Sequence, residues 1–225
     1  MKIRLHLKIF VFIAIFIVTR QIEIYGILML FALFHELGHM LTGIIFGFKP
    51  KSLEIMPLGL SIEFESKSEN YNKKIKKGTL LTLKKTIIAA SGPLTNLLFI
   101  IIFLVFPISF FGISKDIVIY ANILIAIFNL IPIYPLDGGR IAKGILHILF
   151  GRKDAYRYTY MISNITISIL TAISSIVILN LKNIAILLIL AYLWYLVISE
   201  NKRYRTRQKI YEKVKSIEKT DKVTA

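Results

Sequence analysis

The chain has 225 residues, 56% of them hydrophobic, and a formal net charge of +16. An apolar content this high excludes an ordinary soluble domain, because several stretches approach or exceed the roughly 20 residues that span a bilayer. There is no Cys, which excludes a disulfide framework and a thiolate metal site, so any metal must use His and carboxylate ligands.

The apolar runs predict six spans, at about Leu5–Ile24, Ile24–Gly47, Thr86–Ile113, Ile117–Pro135, Tyr158–Leu181 and Asn183–Ser199. The expected fold class is an all-α polytopic membrane protein with about six transmembrane helices and a short β-hairpin-like cytoplasmic loop after the second. The first span begins with Lys2 and Arg4, as a signal peptide would. Val18-Thr19-Arg20-Gln21 lacks the small-residue cleavage pattern, which favours a retained anchor. Residues 1–200 read as one six-span domain and 201–225 as a basic cytoplasmic tail.

The charges fix the orientation. Of 29 Lys and Arg, only Arg20, Lys115 and Lys182 fall outside the N-terminus, the segments 48–85 and 138–157, and the tail after Ser199. The positive-inside rule then places those segments and both termini in the cytoplasm of a multi-pass protein of a bacterial inner or cell membrane. The charge is topological, and no nucleic-acid partner is expected.

The second span carries His35-Glu36-Leu37-Gly38-His39, an HExxH motif. Four residues make about one helical turn, so His35 and His39 project from one face and reach one metal. Glu36 lies beside them, placed as a general base toward an attacking water and then as proton donor to a leaving amine. Ionisable groups at a span centre are costly enough that a stray Glu and two stray His are not expected there.

The loop that follows has two parts. Leu53 to Glu65 ends in alternation, with Leu60, Ile62 and Phe64 set against Ser61, Glu63 and Glu65, and Pro57 and Gly59 as turn residues. It reads either as a surface hairpin or as an edge strand that holds extended substrate through the Leu60–Ile62 backbone. Residues 66–77 are polar and Lys-rich, a solvated connection. Further on, Phe128 to Arg140 starts as a membrane helix and is broken by Pro132 and Pro135, with Gly138 and Gly139 permitting an irregular turn. Such backbone at membrane depth is tolerated where it is buried or lines a wet cavity. Asp137 there, with His35 and His39, completes a three-ligand zinc set that leaves a position open. His6 and His147 have no partner at ligand spacing. Gly43 and Gly47 form GxxxG, whose usual reading is close helix packing. The charged tail from Asn201 reads as a helix on the anionic inner leaflet or as a frayed end, with anionic lipid as its partner.

HELGH together with NLIPIYPLDGGR resembles the paired signature of the site-2 proteases, and SGPLTN at 91–96 matches a third family segment. The six-span layout looks most like the stage IV sporulation protein FB branch. The resemblance implies an intramembrane metalloendopeptidase of the site-2 type that cuts a membrane-associated protein. It implies one Zn2+ per chain on His35, His39 and Asp137, with Glu36 catalytic. It makes Asn129 a candidate for holding substrate backbone or the oxyanion, with interhelical hydrogen bonding as the alternative. Pro135 shapes the turn beside substrate, Gly138 supports it, and Asn96 either supports the site or joins helices. The implied substrate is a sporulation sigma-factor precursor in the membrane around the forespore, with membrane-bound inhibitory or regulatory proteins as further partners. Within the enzyme class, an anti-sigma factor or signal-peptide remnants compete as substrates. A non-proteolytic metal-binding protein or transporter is the rival from another class; it would not need Glu36 and would place more polar residues along several spans.

Overall fold

Among the described residues, the apolar runs fold as helices and the alternating loop as strands. In chain order the elements are β1 (Lys2–Leu5), α1 (Lys8–Val18), α2 (Ile22–Ile45), β2 (Pro50–Met56), β3 (Gly59–Phe64), α3 (Lys76–Val105), α4 (Lys115–Leu130), α5 (Asp137–Leu181) and α6 (Ile184–Val223). The computed structural model describes residues 2–5, 8–18, 20, 22–56, 59–65, 76–106, 113–181 and 184–223. His6, Pro57 and most of the polar connection at 66–77 lie outside the described residues. The chain divides into two compact units, Met1–Ile131 and Pro132–Ala225.

In the first unit, α2, α3 and α4 bury Phe31, Phe103, Val118, Ala121 and Ile125 against one another. The opposite face of α3 exposes Leu94, Leu97, Leu98 and Ile101, spaced by three and four residues along one stripe. An apolar stripe of this extent is a liability in water and is satisfied by lipid. Ile22–Ile45, Thr79–Val105 and Asp137–Val177 are each long and apolar enough to cross a bilayer. The shorter α1, of 11 residues, falls within the predicted span Leu5–Ile24, and α4, of 16 residues, overlaps Ile117–Pro135 but starts two residues earlier, at Lys115.

The predicted hairpin is present and begins earlier, at Pro50. β2 and β3 are antiparallel, with Leu53 opposite Ile62 and Ile55 opposite Leu60. A third strand was not expected: β1 pairs parallel to β2, Lys2 with Ser52 through Leu5 with Ile55. The order β1-β2-β3 leaves β3 at an edge. Phe64 of β3 lies over Gly43, where an added Cβ would meet its ring. Gly43 thus receives a strand side chain, while Gly47, at φ 83°, lies just past the end of α2. The expected helix-packing role of this GxxxG is replaced by strand packing.

In the second unit, α5 and α6 pack along buried Ile167, Leu193 and Val197. Asn164 and Asn201 exchange amide hydrogen bonds of 2.9 and 3.3 Å. The segment 138–157, read from its charges as a connection, is helical on both sides of a break at Gly151 (φ 81°, ψ 172°). α6 runs without interruption from its apolar half into the charged tail.

Candidate metal centre

Helical spacing sets His35 and His39 one turn apart on α2, and both are buried. Their Nε2 atoms lie 3.2 Å apart, with the rings nearly perpendicular at 88°. α3 supplies a partner for each remaining ring nitrogen. His39 Nδ1 lies 2.6 Å from the Ile88 carbonyl oxygen. A carbonyl only accepts, so Nδ1 carries a proton, which in the neutral ring makes Nε2 the acceptor nitrogen.

The same conclusion for His35 follows from a longer chain. Asn122 donates from Nδ2 to the Val118 carbonyl at 2.8 Å. Its Oδ1 then faces Asn96, whose Nδ2 donates to it at 2.8 Å. That turns Asn96 Oδ1 toward His35 Nδ1, at 2.5 Å. An acceptor-only carbonyl at the far end therefore sets the direction of both amides and puts the His35 proton on Nδ1. Asn96 and Asn122 are both fully buried, so breaking this chain would strand polar groups in an apolar interior.

The two Nε2 atoms converge to 3.2 Å, close enough to share one cation. The donors fit a borderline metal ion such as zinc, and ligating His characteristically give their other N–H to such a carbonyl partner. Room for the pair comes from SGPLTN. A Cβ on Gly92 would overlap His39 Nε2 and His35 Nε2, so only glycine leaves room for both rings. Gly38, inside HELGH, allows the same approach from α2, where a Cβ would overlap Thr95 Oγ1. Ser91 Oγ donates to Ile88 O at 2.7 Å and lies 3.1 Å from Gly38 O, tying the two helices at this level.

The other predicted residues are distributed as follows. Glu36 is half-buried on α2. Asn129 donates to the Ile125 carbonyl of its own helix at 3.0 Å, four residues back. Leu60 and Ile62 are half-buried on edge strand β3. Near them, hydrogen bonds from Lys51 and Ser52 hold the Glu63 carboxyl below the usual carboxylate range. In the second unit, Pro135 precedes α5, while Asp137 and Gly138 open it, both buried. Arg140 Nη1 lies 3.6 Å from Asp137 Oδ1, one turn on. Asn122 was missed by sequence reasoning. A single Asn in an apolar helix reads as interhelical glue, and nothing local ties it to a histidine 87 positions earlier.

Comparison with known proteins settles the family. The model of peptidase family M50 matches residues 24–117 and 115–173. The chain belongs to peptidase family M50. It is 25% identical over 165 residues to stage IV sporulation protein FB of Bacillus subtilis (strain 168), covering 72% of this chain and 52% of that protein. The chain therefore spans about half the length of that relative. Its fold matches the site-2 protease from Methanocaldococcus jannaschii with a TM-score of 0.61 at 22% identity, over 88% of this chain and 89% of the other. These matches bear out the resemblance read from HELGH and NLIPIYPLDGGR, and the polytopic membrane fold with it.

Proposed function

We propose that this protein is a zinc-dependent intramembrane endopeptidase that cleaves a membrane-associated protein. The observation that carries the reading is the pair of buried imidazoles, each with Nδ1 turned to an acceptor on α3 and with their Nε2 atoms converging to 3.2 Å. His35, His39 and Asp137 hold one Zn2+ per chain. When bound, zinc polarises a carbonyl and makes water nucleophilic at neutral pH. Glu36, next to His35 on α2, takes the proton of the attacking water and passes it to the leaving amine. Asn129 keeps its Oδ1 and a second amide hydrogen for substrate backbone, and Pro135 and Gly138 shape the turn that carries Asp137.

Helical peptide bonds are hidden, so substrate must be held extended. The outer edge of β3, which pairs with no further strand among the described residues, supports strand addition through the Leu60–Ile62 backbone. Membrane-embedded spans with both termini cytoplasmic follow from the charge distribution. Similarity to a sporulation protein supports a sigma-factor precursor as substrate, in the membrane around the forespore of a spore former. The test is co-expression with a candidate precursor, comparing the native chain with Glu36→Gln. Processing by the native chain alone is expected. Processing by both would remove the general-base assignment, and processing by neither would remove that substrate.

A further inference from the structure

We propose that the second unit carries a discrete binding site for the phosphate of an anionic phospholipid, formed between α5 and α6. A shallow, open pocket is lined by Tyr134, Lys143, Tyr156, Glu200, Tyr204 and Arg207, among others. Lys143 Nζ sits 4.2 Å from the ring centre of Tyr134 and 4.0 Å from that of Tyr156. The Arg207 guanidinium lies 5.0 Å from the centre of the same Tyr156 ring. The acidic group of this lining, Glu200, is ion-paired with Arg203 at 2.6 Å. Glu200 also acts electrostatically on Lys143, so it offsets one of the two cations, and Lys143 with Arg207 still leaves the lining net positive. Tyr160 and Tyr204 stack at 4.6 Å and fix the α6 wall.

Position selects the ligand. On α6 the pocket lies where the apolar stretch through Ser199 gives way to Glu200-Asn201-Lys202-Arg203. That boundary is where Tyr and basic residues meet headgroups. Basic pockets between membrane helices on the cytoplasmic side take phosphorylated headgroups. The tail as a whole attracts anionic lipid diffusely. The Lys143–Arg207 pair differs in being held against tyrosine rings, with Lys143 half-buried, and its net positive charge favours an anionic headgroup over a zwitterionic one.

The test is native mass spectrometry of the full chain released from mixed phosphatidylglycerol and phosphatidylcholine vesicles. One phosphatidylglycerol should be retained in preference to phosphatidylcholine, a readout that needs no variant. Lys143→Gln with Arg207→Gln should lower that retention about thirtyfold, since each basic residue near the surface contributes about fivefold. Arg205→Gln with Lys209→Gln removes the same charge from exposed positions and should leave the tightly held lipid in place. Competition with millimolar inorganic phosphate distinguishes the sources of the anion. Lipid that persists assigns the site to the headgroup, and lipid displaced by phosphate alone assigns the same site to the free ion. Equal retention of the two lipids, or equal losses from the two double variants, would overturn the proposal.

Discussion

The proposed ligands come from two regions built on opposite principles. His35 and His39 sit mid-way along an uninterrupted helix, and each is oriented by an acceptor from α3. Asp137 stands at the first residue of α5, just after an irregular stretch with two prolines, with Arg140 of its own helix beside it. The first region is preorganised by packing and buried hydrogen bonds. The second depends on a turn that positions a carboxylate. A rigid pair defines where a metal sits, and a carboxylate on a broken segment leaves the chain able to adjust around substrate. The comparison predicts that changes near the histidines act on metal binding first, while changes around Asp137 act on metal binding and turnover together.

The largest effect is expected from the ligands. His35→Ala, His39→Ala and Asp137→Asn should each lose stoichiometric zinc on dialysis against a mild chelator, because a neutral amide or a methyl is a poor zinc ligand. Retention by Asp137→Asn alone would break the comparison, leaving the two imidazoles as the whole site. Gly92→Ala comes next. Its Cβ would occupy the space of both Nε2 atoms, so metal should be lost while helical content, followed by circular dichroism, is kept.

A smaller effect sharpens the account of the first region. Asn96→Leu and Asn122→Leu should each weaken zinc binding by about 10–100-fold, the usual cost of removing an outer partner of a ligating His. Asn96→Asp keeps an acceptor for His35 Nδ1 and should retain metal far better than Asn96→Leu. If Asn96 served only to join helices through Asn122, the two variants would lose metal alike. Competition with a chromophoric chelator separates these outcomes without reference to activity.

The smallest expected effect on metal lies on β3. Ile62→Pro removes a backbone donor and disturbs the edge, whereas Ile62→Ala leaves the backbone intact. Cleavage should fall with proline and much less with alanine, with zinc content unchanged in both. Equal, mild effects would leave β3 as an ordinary surface hairpin.

The legibility of the chain followed how local each feature is. HELGH was readable because a four-residue spacing on a helix is itself the geometry. The β2–β3 hairpin was readable because alternation at Leu60, Ile62 and Phe64 has a period of two. β1 was not, because its pairing with Ser52 to Ile55 joins residues some 50 positions apart and four residues carry too little pattern. The helix after Asp137 was hidden by Arg140, Lys143, Arg152 and Lys153, whose charges read as a loop. The Gly151 break sits between two helical pieces rather than ending one. The Asn122–Asn96–His35 chain was invisible for a different reason. It crosses three helices, and its logic lies in hydrogen-bond direction, which no spacing rule encodes.

The most direct test of the central claim is zinc K-edge absorption fine structure on the purified native chain, with metal content measured on the same sample. The account predicts one zinc per chain, with a first shell of two imidazole nitrogens at about 2.0–2.1 Å and carboxylate oxygen at about 2.0–2.2 Å. In Asp137→Asn, the remaining zinc should fall well below one per chain. A native chain with no stoichiometric zinc, or a shell with three or more imidazoles or none, would contradict it.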